Sequence, residues 1–124
     1  MRQAVAVIIF SFMLSVFFSI AHARLDISPS SIYFSHTQIG NWDVRTFTVR
    51  NTDKEEQRVD INSTCFMDFE VRDNCFGTLR QYQSCSAEVW FRPRYEGYAN
   101  CNINVYGNTS SQNVSVTGYG YKRW

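Results

Sequence analysis

Between Ser84 and Gly97 the chain alternates: Cys85, Ala87, Val89 and Phe91 are small or apolar, while Ser86, Glu88, Trp90 and Arg92 between them are mostly polar. A period of two is that of an extended strand with one face buried. Pro93 then withdraws a backbone donor and Gly97 permits a reversal, so the segment predicts a central strand leading into a turn. The same alternation recurs elsewhere. Phe47 and Val49 alternate with Thr46, Thr48 and Arg50 between 43 and 51, and Val59 and Ile61 mark a strand over 57–63 beyond the polar turn 51–55. Cys101, Ile103 and Val105 alternate with Asn102, Asn104 and Tyr106, and after a turn at 107–111 Val114 and Val116 mark a last strand over 113–117.

The remaining segments are less regular. Leu25, Ile27, Ile32 and Phe34 flank Ser28-Pro29-Ser30-Ser31, which predicts an edge strand split by proline, and Ile39-Gly40-Asn41 makes a turn. Phe66, Phe69 and Val71 form a short irregular piece; 74–84 reads as a loop around Gly77, with Leu79 plugging the core. No segment sustains a helical period. About seven short strands punctuated by turns predict an all-β, immunoglobulin-like β-sandwich.

The first residues do not fit this pattern. Arg2 precedes an apolar run from Ala4 to Ile20, and Ala21-His22-Ala23 has the small, spaced residues of a signal-peptidase site. Residues 1–23 are therefore expected to be a secretory signal peptide, leaving one small domain at 24–124. The run is close to the ~17-residue minimum for an uncleaved membrane anchor, but its serines and its cleavage site favour removal. No membrane span is expected after cleavage, and the destination is the periplasm or the outside of the cell.

The formal net charge is +1, and only Arg2 leaves with the signal, so the mature chain is close to neutral. Neither a basic stripe nor a charge block is present, which argues against nucleic acid as a partner and against a disordered tail. Four cysteines in an exported chain point to two disulfides. A metal site would need close Cys-x-x-Cys or Cys/His pairs, but Cys65, Cys75 and Cys85 are spaced by tens and His36 is the one histidine left. In a sandwich of this kind the third and sixth strands run antiparallel side by side, which sets Cys65 opposite Cys101. Cys85 and Cys101 begin consecutive antiparallel strands and would lie on the order of 20 Å apart at ~3.3 Å per residue. The expected pairs are thus Cys65–Cys101 and Cys75–Cys85, contributing ~4 and ~3 kcal/mol by loop entropy.

Pro29-x-x-Ile32-x-Phe34 with Ile39-Gly40; Phe47-Thr48-Val49-Arg50-Asn51; Cys75 followed by Leu79 and Cys85; Val89-x-Phe91-x-Pro93-x-x-x-Gly97; and Val114-x-Val116-x-Gly118-x-Gly120 follow one another along the chain. Together they resemble the ASH or hydin-like immunoglobulin-type domains, including the bacterial choice-of-anchor D modules, related in architecture to major sperm protein and pilus chaperones. The chain departs from such domains at Asp53, where they have glycine, and at Gln81-Tyr82, where they have Pro-Gly; Cys65 and Cys101 are additions. The resemblance implies an interaction or scaffolding module with no shared catalytic residues.

The residues themselves agree. Catalysis needs a nucleophile with a base, or paired acids in a pocket, whereas His36 stands alone beside Ser35 and Glu55-Glu56 sits in a turn. No enzyme, cofactor, metal or small-molecule substrate is expected. Aromatics at outward or turn positions, with arginines beside them, make the candidate interface: Trp42, Trp90, Arg92, Arg94, Tyr106 and Trp124. The competing account is that each covers the sheet or packs beneath a loop. A non-enzymatic exported module with a protein partner is the leading expectation; a subunit-binding chaperone and a small secreted enzyme inhibitor are the alternatives.

Overall fold

The computed structural model describes residues 25–123. The expected signal peptide lies outside the described residues, as does Trp124. Among those described are nine strands: β1 (Leu25–Ser28), β2 (Ser31–Gln38), β3 (Asp43–Asn51), β4 (Gln57–Ser63), β5 (Phe69–Asp73), β6 (Gly77–Leu79), β7 (Ser84–Phe91), β8 (Gly97–Tyr106) and β9 (Ser111–Tyr121). They form two layers. The first sheet has the order β1-β3-β7-β5 and the second β2-β9-β8-β4-β6. Neighbours run antiparallel except β2 and β9, which are parallel.

The count exceeds seven for two physical reasons. Pro29 cannot continue a ladder, so the split edge strand becomes two edges in different layers, β1 against β3 and β2 against β9. The segment 74–84 is not wholly loop: β6 pairs with β4, Gln57↔Leu79 through Val59↔Gly77, in the layer opposite to β7.

The alternating residues meet between the layers. Phe34, Phe47, Val89, Phe91, Ile103, Val105, Val114 and Val116 are all fully buried. Phe91 stacks on Phe34 at 5.4 Å and on Phe69 at 5.0 Å between ring centroids. Its ring also reaches β9, where a Cβ on Gly118 would lie 2.7 Å from it. Position 118 therefore has room for hydrogen only, which explains glycine inside a strand.

Cys65 is bonded to Cys101 and Cys75 to Cys85, the pairs expected. The first joins the chain just beyond β4 to β8; the second joins the chain just beyond β5 to β7. The argument against Cys85–Cys101 needs correction, however: β7 and β8 are not paired neighbours but lie in opposite layers.

Two buried amides close the end of the sandwich near the turn 51–55. Asn51, fully buried at the end of β3, donates from Nδ2 to the carbonyls of Glu55 (2.9 Å) and Leu79 (2.8 Å), and its Oδ1 accepts from the Asp53 amide (2.8 Å). Gln57 accepts the Asn108 amide at 3.0 Å. Nearby, Tyr82 takes φ 68, and its ring lies under the Arg50 guanidinium at 5.2 Å. An L residue at that angle carries a steric cost that glycine avoids.

Candidate functional site

The register of the first sheet brings four of the expected interface residues together. Asp43 of β3 and Phe69 of β5 both pair with Phe91, so the N-terminal ends of these strands bracket the C-terminal end of β7. Trp42, just before β3, and Met67-Asp68, just before β5, consequently flank Trp90, Arg92 and Arg94 around a cleft of about 260 Å³. Gly40, at φ 97, makes the tight turn that delivers Trp42.

The two tryptophans are held differently. Trp42 is 59% exposed. Trp90 is half-buried: the guanidinium of Arg72 lies 4.6 Å and that of Arg92 5.5 Å from its ring centroid, and its Nε1 donates to Glu88 Oε1 at 3.1 Å. Arg72 in turn donates from Nε to Glu70 Oε2 at 2.8 Å. That hydrogen bond holds the Glu70 carboxyl below its ordinary value and raises Arg72. Trp90 is thus preset by a charged frame, and Trp42 is exposed at the lip.

Met67 and Asp68 were not singled out by the sequence pattern, since 66–71 lacks regular alternation. Met67 sits at φ 63 with its side chain exposed, and the Asp68 carbonyl accepts from the Arg92 amide at 2.7 Å. Asp68 Oδ1 is buried without a hydrogen bond; Arg94 Nε approaches it only to 4.0 Å. A buried carboxylate oxygen lacking a donor is costly, so the cleft contains an unmet acceptor beside two aromatic rings. The signal available in the sequence was Phe66-Met67, two consecutive large apolar residues at a turn beside a half-cystine.

Tyr106 does not belong to this surface. It lies on β8, in the opposite layer, where it lines a separate groove with Phe76 and Asn108. Grouping Tyr106 with Trp90 in one interface is therefore incorrect, because β8 crosses to the second sheet after Pro93. Tyr119 and Tyr121, beyond the last strand expected over 113–117, belong to β9, which runs on to Tyr121 inside that sheet. His36 packs edge-on to Tyr119 at 5.0 Å. Among the described residues, no group of three or more His, Cys, Asp or Glu is placed to hold a metal ion, and no helix is long and apolar enough to cross a membrane.

Similar folds occur in proteins of widely different sequence. The chain superposes on the ASH/PapD-like domain 7 of human CEP192 with TM-score 0.64 at 13% identity, covering 88% of this chain and all of that one. The Vibrio cholerae VesB protease gives TM-score 0.59 at 18% identity over 78% of this chain, but only 31% of the protease. The YadV chaperone gives 0.57 at 6% identity, covering 82% and 53% of the two chains. At such identities the likeness concerns the fold. No curated protein sequence is significantly similar to the chain. The sequence model of the HYDIN/CFA65/VesB-like Ig-like domain, however, matches residues 23–121. With both layers of the sandwich inside that match, the chain belongs to the HYDIN/CFA65/VesB-like Ig-like domain family.

Proposed function

We propose that this chain is an exported, non-enzymatic binding module that docks a protein partner on the Trp42–Trp90 end of its first sheet. The observation that carries this is the convergence of Trp42, Trp90, Arg92 and Arg94 on one cleft, in which the buried Asp68 Oδ1 faces Arg94 at 4.0 Å without a hydrogen bond. Protein interfaces gather tryptophan, methionine and arginine at their anchoring points, and a preset Trp90 loses little freedom on contact. A partner that brings a hydrogen-bond donor to Asp68 and apolar surface to Trp42 would complete the cleft. Export is supported by the apolar run before residue 23, which reads as a removable signal, and by two disulfides.

The reading is tested by photocrosslinking in the host's own envelope or medium. A photoreactive residue at Asn41, which lines the cleft, should capture a defined protein, whereas one at Asn108 in the Tyr106 groove should not. Trp42→Ser should abolish that capture with Tm unchanged, and Arg94→Glu, which also sets a second carboxylate beside Asp68, should abolish it with a lowered Tm. Capture that survives both substitutions overturns the assignment.

A further inference from the structure

The second sheet turns a different kind of surface to solvent. From Gly97 to Tyr121 not one residue is charged, and these residues build β8 and β9, its paired inner strands. Their outward side chains form rows fixed by the register. Asn62, Asn104 and Asn113 lie side by side, with Asn113 Nδ2 donating to Asn104 Oδ1 at 3.0 Å. The next rows are Asn102 with Ser115 and Ser31, then Asn100 with Thr117 and Tyr33. At the far end Tyr98, Tyr119 and His36 make an aromatic row, with ring centroids 4.8 and 5.0 Å apart. Tyr98 is 71% exposed. Charge reappears only at the margin, on Arg58 and Asp60 of β4 and after β9.

We propose that this face binds a neutral glycan chain. A flat, solvent-facing sheet ordinarily carries charge, which keeps it soluble and apart from other sheets. Here the charge is withheld from the whole inner area, so the surface matches a partner that is itself uncharged. Each asparagine amide presents a donor beside an acceptor, which is what a hydroxyl group also presents, so a column of asparagines can pair with successive hydroxyls of a sugar chain. The tyrosine row supplies apolar ring area for the C–H faces of the same sugars. Other occupants fit worse. Phosphate backbones need lysine or arginine; a lipid surface needs outward aliphatic groups; a protein interface is anchored by aromatics with methionine and arginine, as at the Trp42 cleft but not here.

The test uses the mature secreted protein in affinity electrophoresis through laminarin, dextran, mannan and soluble chitin fragments, with alginate and heparin as anionic controls. Retention is expected on at least one neutral polymer, changing less than about twofold between about 0.05 and 0.5 M NaCl, because no exposed charge pair is screened. Tyr98→Ser and Asn102→Asp should each weaken it about tenfold, equivalent to ~1.4 kcal/mol, with Tm unchanged. Trp42→Ser, at the protein-binding cleft, should leave it intact, so the two readings fail independently. The proposal is overturned if no neutral polymer retards the protein, or if only anionic polymers do and salt releases them. It is equally overturned if sedimentation shows a dimer that Asn102→Asp dissociates, or if intact mass shows glycans already attached at Asn62 or Asn113, which stand in the acceptor patterns Asn62-Ser63-Thr64 and Asn113-Val114-Ser115, since the face would then be covered.

Discussion

The outer faces of the two sheets share a pleat and a core but little else. On the first, Glu70, Arg72, Glu88 and Arg92 surround Trp90 in a frame of ion pairing, hydrogen bonding and cation–π contact. On the second, asparagine, serine, threonine and tyrosine meet in uncharged rows. Inward positions are alike in both, because burial admits only apolar or fully hydrogen-bonded groups. Outward positions are released from that constraint, and it is there that two layers of one small domain can acquire separate partners.

The contrast vanishes altogether if the layers part. Phe91→Ala removes the ring that touches Phe34 and Phe69 and packs over Gly118, and should cost ~3–5 kcal/mol, disordering both faces together; denaturant unfolding followed by hydrogen exchange would show it. Removing one staple should separate the faces instead. Cys75→Ala with Cys85→Ala should cost about 3 kcal/mol, with faster exchange in β5 and β7 than in β8 and β9. Equal acceleration in both sheets would mean that the staple acts on the whole sandwich. Smaller still, Trp90→Ala deletes the centre of the charged frame at ~1 kcal/mol of cation–π contact, shifting Tm by a few degrees and leaving β8 and β9 untouched.

The smallest effect concerns acid. The Arg72 hydrogen bond lowers the Glu70 carboxyl below its ordinary value of 4.5, so the folded state binds that proton less readily than the unfolded chain. The stabilisation is complete above the unfolded value and is lost as pH falls through the depressed folded one. Glu70→Gln should accordingly flatten the acid limb of a Tm-against-pH curve by lowering the neutral Tm slightly and leaving the acid Tm unchanged, a small effect because the pair is exposed. The second sheet, with no charge on its inner strands, should show no counterpart.

Much of the sandwich was legible because burial writes a period of two. Phe47, Val49, Val89, Phe91, Ile103 and Val105 alternate without interruption and all face the core. Strand polarity was enough to pair the cysteines, even though the layer assignment of β7 and β8 behind one step was wrong. The candidate site was half legible. Trp42, Trp90, Arg92 and Arg94 stand out as aromatic and arginine residues near one another in sequence or at turns. Met67 and Asp68 do not, because their place in the cleft follows from the register of β5 on β7, a long-range pairing with no local mark. Tyr106 failed for the same reason in reverse: its exposure is readable from alternation, but which layer it faces out of depends on a crossover. Asn51 and Gln57 were missed as buried groups, since a polar side chain in a turn-flanking position reads as solvated until its carbonyl and amide partners are seen.

The parallel pairing of β2 with β9 has a consequence for how the domain comes into being. Its second sheet cannot be completed by any part of the chain made early, because β2 has to wait for residues 111–121 to emerge before it gains a lateral neighbour. A chain folding in order of synthesis would stay open along that side until those residues were available.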